Sequence, residues 1–303
     1  MNQFTLENAP SQVGKLAIVT GANVGLGFET TIGLAKKGAK VVMACRSQEK
    51  AEKAKSDILE KVPDAELEIM VLDLNSLSSV RSFADAFKTR YDQLDILINN
   101  AGIMMPPFSL TEDGFESQFG VNHLGHFLLT GLLLPTLNST QGSRVVALSS
   151  KAHEWGKIEF DNLQSEKKYS KMGAYGLSKL ACLMFAYELD RRLDAAGSQV
   201  TSVAAHPGGS NTDLARHFPK VMYYILMPIM LPMMHSPVNA ALPSLMAAID
   251  ESVRGGSYYG PTGFRGMRGK PGKVDSTAAS NDKAVAKELW EKSEKLVDFK
   301  FVF

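Results

Sequence analysis

The sequence predicts an α/β fold: a single doubly wound parallel sheet with helices on both faces. Three observations carry the prediction. Short β-branched runs alternate with charged or amphipathic stretches from Leu16 onward. Those runs are almost continuously apolar rather than alternating, as strands buried on both faces must be. A glycine-rich turn separates the first run from the first helical stretch, the place where open α/β sheets bind ligands.

The elements follow in order. Leu16-Ala17-Ile18-Val19 is the first strand, and a helical stretch runs from about Gly25 to Gly38. Val41-Val42-Met43-Ala44 is the second; Ser47 caps a solvated helix to Lys61 that carries Lys50, Lys53 and Lys55. Leu67 to Leu72 precedes a helix from Ser76 to Tyr91, and Leu94 to Ile98 precedes a long helical pattern from about Leu110 to Leu137. Val145-Val146-Ala147-Leu148 leads to another, from about Ala174 to Leu193, and Val200 to Ala204 reads as a further strand. No repeat, low-complexity block or Pro/Gly linker divides the chain, so residues 1–303 read as one domain.

Composition narrows the function classes. Of 303 residues 45% are apolar and 21% charged, which excludes bulk disorder. Lys plus Arg number 33 against 32 Asp plus Glu, a net charge of +1, so no basic excess exists to hold nucleic acid. Cys45 and Cys182 lie too far apart for a CxxC element and fit a reducing compartment. The start MNQFTLENAP lacks a charged-then-apolar signal. The apolar run Val221 to Met234 is too short to span a membrane and is broken by Pro228 and Pro232. A soluble cytoplasmic protein is expected.

The turn reads Thr20-Gly21-Ala22-Asn23-Val24-Gly25-Leu26-Gly27. Glycines allow the tight bend and let backbone amides approach a pyrophosphate, at which the following helix aims its positive N-terminus. The second strand ends in Cys45-Arg46, where a fold selecting NAD places a carboxylate for the ribose 2′-hydroxyl. A guanidinium can grip a 2′-phosphate bidentately, which favours NADP(H); a solvated helix-entry arginine would look the same in isolation.

Further groups fall at strand ends and so converge on one crevice: Asp73-Leu74, Asn99-Asn100-Ala101-Gly102 and Ser149-Ser150. Tyr175 and Lys179, four residues apart, share one helical face. A phenol ordinarily loses its proton near pH 10, and an adjacent ammonium favours the phenolate. Bringing it near 7 takes about 4 kcal/mol, within the range of a partly desolvated ion pair.

Together these motifs resemble the short-chain dehydrogenase/reductases over essentially the whole chain, with a Rossmann-like fold. The resemblance rests on Thr20 to Gly27, Asp73-Leu74, Asn99 to Gly102, Asn122, Ser150, Tyr175, Lys179, and Pro207-Gly208 with Thr212. It implies that Tyr175 is the general acid or base, that Lys179 lowers its pKa and holds the nicotinamide ribose, and that Ser150 binds the substrate oxygen. Asn122 would support a proton relay from Lys179. Gly21, Asn23, Gly25, Leu26, Gly27, Arg46, Asp73, Leu74, Asn100, Ala101, Gly102, Pro207, Gly208 and Thr212 would join Tyr175 and Lys179 in contacting the cofactor. Asn122-His123-Leu124-Gly125-His126-Phe127, Cys45-Arg46 and Tyr175 to Arg192 are similar to the branch holding retinol dehydrogenases, WW-domain oxidoreductases and protochlorophyllide reductases. Ser210 departs from the apolar residue many members carry after Pro-Gly.

The resemblance places a substrate lid at about 214–237, where five of the fourteen residues Val221 to Met234 are methionine, suited to an adaptable apolar pocket. A helix pair in the core, a subunit contact or a shallow membrane contact fits the same stretch. His123 and His126 lack a third ligand at fitting spacing, so they read as packing groups or supports behind the site, and no metal is expected. Cys182, one turn beyond Lys179, reads as buried. Trp155, Phe160 and Tyr169 either wall the cleft or pin a loop, and Asp282 to Val297 with Phe299-Lys300-Phe301-Val302-Phe303 docks on the core or on another subunit. The expected function is NADP(H)-dependent interconversion of carbonyl and alcohol on a small apolar substrate, and the resemblance allows a homodimer through the two long helices, with the oligomeric state left open. Alternatives are reduction of a C=C bond, as in the protochlorophyllide branch, and a catalytically silent NADP(H)-binding regulator.

Overall fold

The computed structural model describes residues 3–209 and 235–303. Ser210, Thr212 and almost all of the expected lid, 214–234, lie outside the described residues. The strands are β1 (Leu16–Thr20), β2 (Lys40–Cys45), β3 (Leu67–Val71), β4 (Ile96–Asn99), β5 (Arg144–Leu148), β6 (Thr201–Ala205), β7 (Tyr258–Pro261) and β8 (Pro271–Val274). They form one sheet in the order β3-β2-β1-β4-β5-β6-β7-β8. β1 through β7 pair in parallel, and β8 pairs antiparallel with β7. The sheet is thus doubly wound as expected, with one antiparallel edge strand that the purely parallel reading missed. The order reverses between β1 and β4, which opens a crevice at their carboxyl ends.

Continuous apolar strands make sense once the two faces are separated. Ala17 and Val19 face one hydrophobic cluster while Leu16 and Ile18 face the other, and Val41 and Met43 oppose Val42 and Ala44 in the same way. The first cluster is covered by α1 (Gly25–Lys36), α2 (Gln48–Lys61) and a helix the sequence reading did not assign, α7 (Pro237–Ile249). The second is covered by α3 (Leu77–Arg90), α5 (Gly125–Ser139), α6 (Lys171–Ala195) and α8 (Lys283–Leu296). Helix starts obey local chemistry: Ser47 accepts from Lys50 N, and Asp282 from Ala284 N and Val285 N.

The long helix expected from Leu110 begins only at Ser117. Residues 100–116 instead form a loop closed by a bridge between Leu110 and Glu116, and Glu116 caps α4 (Ser117–Phe119) by accepting from Gln118 N and Phe119 N. A π turn, Gly120–Leu124, then joins α4 to α5. Both α5 and α6 are buried on most sides. Their outer faces meet α8 and the final aromatic residues: Phe127 lies 4.9 Å from Trp290 and 4.8 Å from Phe301, centroid to centroid. The C-terminal helix therefore docks on its own core. Among the described residues no helix is long and apolar enough to cross a membrane.

His123 sits inside this aromatic layer, 5.1 Å from Phe119 and 5.8 Å from Phe127. Ser293 Oγ donates to Leu289 O, so His123 Nε2–H donates to Ser293 Oγ at 2.8 Å. Burial pushes His123 down from 6.5 to about 3, His126 to about 4 and His206 to about 3. The unfolded chain therefore binds more protons than the folded one between pH 6.5 and those values. Stability from these groups is complete above 6.5 and is lost as the pH falls, by up to about 2 kcal/mol per histidine between pH 7 and 5. Urea midpoints measured across that range should fall with acidity, and His123→Gln should flatten the slope; an equally steep slope in the variant contradicts this account.

Candidate active site

The crevice is built around the β1–α1 turn. Gly21 and Gly25 adopt φ of +67° and +58°, a region costly for side chains. A Cβ on Gly27 would stand 2.3 Å from Gly21 O and 2.5 Å from Asn100 Nδ2, so only glycine lets the helix approach the turn. Helix α1 begins without a side-chain cap and without an acid in its first turn, which leaves its N–H groups to an anion. These are the features a pyrophosphate requires.

A cleft of about 610 Å³ opens beside this turn, lined by Gly21, Asn23, Arg46, Asp73, Leu74 and Ala101, with Ser47 and Lys50 alongside Arg46. Asp73 supplies the one carboxylate among these lining residues, and it stands at the end of β3 rather than β2. Behind the wall, burial pushes the Cys45 thiol up to about 11, against the backbone bonds from Ala22 and Asn23 that favour its thiolate. It is a neutral packing group at ordinary pH.

A second cleft of about 730 Å³ continues from the first through Gly102, Ile103 and Met104. Ser150, Tyr175, Lys179, Asn100, Leu26, Pro207 and Gly208 line it. Tyr175 is 9% and Lys179 7% exposed. Lys179 Nζ donates to Leu148 O at 3.0 Å and lies 6.0 Å from the centre of the Tyr175 ring. Gly176 explains how Tyr175 meets Ser150. A Cβ there would be 2.7 Å from Trp155 Cδ1, so glycine lets α6 press against the short turn Lys151–Trp155 that follows β5. Ser149 Oγ is committed to Lys179 O at 2.8 Å, whereas among the described residues half-buried Ser150 Oγ accepts only the weaker Ala152 N at 3.2 Å, so Ser150 is the serine with donor capacity towards the cleft.

Asn122 lines neither cleft. It is buried in the π turn, where its Oδ1 accepts from Ile103 N at 2.8 Å and its Nδ2 donates to Ile103 O and Ser178 Oγ. It shapes the cleft wall from behind. Gly25 and Gly27 likewise act through the turn. The aromatic candidates divide: Trp155 lines the second cleft, Tyr169 pins the 100–116 loop by donating to Pro106 O at 2.7 Å, and Phe160 packs under Lys292. Cys182 is buried, its thiol pushed up by desolvation.

Sequence reasoning missed the apolar wall formed by Met104, Met105 and Met267, and the cleft-lining Arg265. The Met104-Met105 pair directly after Gly102 was a visible signal; nothing marked the turn Phe264–Gly266, which reaches the cleft by packing on Gly209 through Met267 O. Met105 and Arg265 both have left-handed backbone, φ +51° and +52°, strain of a kind that concentrates at functional clefts. Among the described residues no group of three His, Cys, Asp or Glu is gathered for a metal.

Comparison with known proteins agrees with the geometry. The sequence profile of the short chain dehydrogenases matches residues 15–221. This chain belongs to the short-chain dehydrogenase family. Within it the chain falls on the retinol dehydrogenase branch. It is 44% identical to human retinol dehydrogenase 13 over 291 residues, covering 94% of this chain and 85% of that one. Human retinol dehydrogenase 12 is 45% identical over 248 residues, covering 81% and 77%. A solved structure of an uncharacterised protein from Mycobacterium paratuberculosis superposes with TM-score 0.84 at 40% identity, covering both chains completely. RhlG of Pseudomonas aeruginosa, at 24% identity, TM-score 0.64 and coverage of 82% and 94%, shares the fold. The short-chain dehydrogenases are nicotinamide-dependent oxidoreductases, and the glycine cradle, uncapped helix and adjoining clefts fit such a dinucleotide. Gly27→Ala should force the turn open and weaken dinucleotide binding at least tenfold, read by nicotinamide fluorescence; unaltered affinity would show that the turn does not carry the pyrophosphate.

Proposed function

We propose that this short-chain dehydrogenase interconverts a carbonyl and an alcohol on a small apolar substrate, with NADP(H) as its cofactor. The observation that carries the reading is the convergence of Tyr175, Lys179 and Ser150 on one cleft whose remaining wall is apolar, Met104, Met105, Trp155 and Met267. Gly21, Asn23, Gly25 and Gly27 would hold the pyrophosphate, Leu74 and Ala101 the adenosine, and Lys179, Pro207 and Gly208 the nicotinamide half. When bound, the nicotinamide supplies or accepts the hydride.

The chain's own residues handle the proton and the orientation. Ser150 Oγ donates to the substrate oxygen and fixes the carbonyl plane. Tyr175 Oη gives its proton to that oxygen in reduction and takes it back in oxidation. Lys179, whose ammonium is anchored on Leu148 O, holds positive charge beside the phenol and so favours the phenolate. Low exposure of both groups strengthens that interaction relative to water. Asn122 keeps the Gly102–Ile103 wall in place.

Arg46 supports the choice of NADP(H). It follows β2 directly, lines the first cleft with Lys50, and no carboxylate accompanies it at that strand end. A 2′-phosphate bound there would meet a bidentate donor. The retinol dehydrogenase relatives point to lipophilic alcohols and aldehydes as the substrate class.

Consumption of NADPH and NADH followed against a panel of apolar aldehydes, ketones and enones tests the proposal. Turnover of aldehydes or ketones with NADPH preferred is expected; turnover of enones alone would replace it with C=C reduction. Tyr175→Phe should lower kcat by about 10³-fold while leaving NADPH affinity nearly intact, and a variant of normal turnover would remove Tyr175 from the chemistry. Arg46→Asp should shift preference towards NADH by at least tenfold; unchanged selectivity would mean the 2′-phosphate is read elsewhere.

A further inference from the structure

His126 is buried, 4% exposed, and neither the proton chemistry nor a metal accounts for it. Its ring nevertheless lies between two parts of the candidate site. Nε2 is 2.9 Å from Thr20 Oγ1 at the end of β1, and Nδ1 is 3.0 Å from the carbonyl oxygen of Asn122 in the π turn.

The protons can be placed. Thr20 Oγ1 accepts backbone N–H bonds from Asn100 and Ala101, each at 2.9 Å, which takes both lone pairs. Its single proton then has two possible acceptors, Ile98 O at 3.4 Å and His126 Nε2 at 2.9 Å. The shorter bond wins, so Nε2 is the acceptor and the ring hydrogen sits on Nδ1, which donates to Asn122 O. Burial supports the same state by keeping the imidazole neutral. Asn122 O takes a second bond, from Cys182 Sγ on α6 at 3.1 Å.

Both bonds of the ring lead to the same stretch of chain. Residues 100–103 form the wall shared by the two clefts. Thr20 holds the front of that stretch through the amides of Asn100 and Ala101, and the Asn122 side chain holds its rear through Ile103 N and O. Gly102 lies between, and a Cβ there would stand 3.1 Å from Asn122 Oδ1 and 3.5 Å from Lys179 Nζ. Whatever sets the distance from Thr20 to Asn122 therefore sets the wall against Lys179.

We propose that His126 is a positioning residue: a neutral imidazole, fixed in one tautomer by Thr20, that ties the cofactor-facing loop 100–103 to the turn bearing Asn122 and so holds that loop in register with Lys179. The inference rests on the reading of the two clefts as a dinucleotide and substrate site.

The test uses the full chain with four changes, His126→Leu, His126→Gln, Thr20→Val and the double variant Thr20→Val/His126→Leu. In the free protein, amide hydrogen exchange at Asn100 and Ala101 should quicken at least tenfold in His126→Leu relative to the amides of β5. The Kd for NADPH should rise about tenfold and kcat fall about tenfold at a temperature where circular dichroism shows the variant folded. His126→Gln keeps an acceptor and a donor and should recover most of both losses. The double variant should be no worse than the more impaired single one, since both changes cut one chain of bonds. Unchanged exchange at Asn100 and Ala101, no recovery in His126→Gln, or losses that multiply in the double variant would each overturn the proposal. Wild-type protein that binds neither NADPH nor NADH would overturn the functional reading instead, while the exchange measurement still decides the role of His126.

Discussion

Among the described residues, seven strands that run the same way deliver seven carboxyl ends to one edge of the sheet, and every candidate functional group described arises there or on the segments that follow. The constraint comes from desolvation. A strand covered by helices on both faces can carry almost nothing polar along its length, so Ile18, Val42, Leu97 and Val146 are fully buried and chemistry begins only where each strand stops. Thr20, Asn99 and Ser149 mark those stopping points, each buried and each hydrogen-bonded to a neighbouring segment.

Buried charge is then a problem to be handled residue by residue. Lys179 is only 7% exposed, so its amine needs an acceptor inside the protein, and the backbone carbonyl of Leu148 provides it at the end of β5. The histidines of the interior solve the same problem in the opposite way. His123, His126 and His206 give up the charge, and each ring makes hydrogen bonds as a neutral donor or acceptor. Lys179 thus stands beside the phenol of Tyr175, 6.0 Å from the ring centre.

Much of this was legible in sequence because it depends on local rules. Ser47 announces a helix start in any context, and Tyr175 and Lys179 share a face wherever a helix forms. Leu110 shows the limit. Its neighbourhood has apolar spacing that suits a helix, but Glu116 accepts the first free amides of α4, and the residues before it close a small loop instead. The π turn at Gly120–Leu124 is equally invisible, since it and α5 are buried on nearly every side and carry no apolar period for an extra residue to shift. β7 and β8 were missed for a different reason. Tyr258-Tyr259-Gly260-Pro261 is too short to carry a pattern, and its strand character comes from pairing with β6. The roles of Asn122 and His126 belong to tertiary geometry: spacing shows that they are neighbours on a helix, but not that one carbonyl and one hydroxyl from distant elements will meet the same ring.

The antiparallel strand β8 also governs how this sheet meets another copy of itself. A sheet edge is a row of unpaired amides and carbonyls, open to any passing strand. β8 closes that edge with four residues, Pro271-Gly272-Lys273-Val274, of which the first has no N–H to offer and the third carries an exposed charge. An intruding chain finds a border only four residues long, with one amide missing and a charge to desolvate, so a new ladder has little to build on at this edge of the sheet.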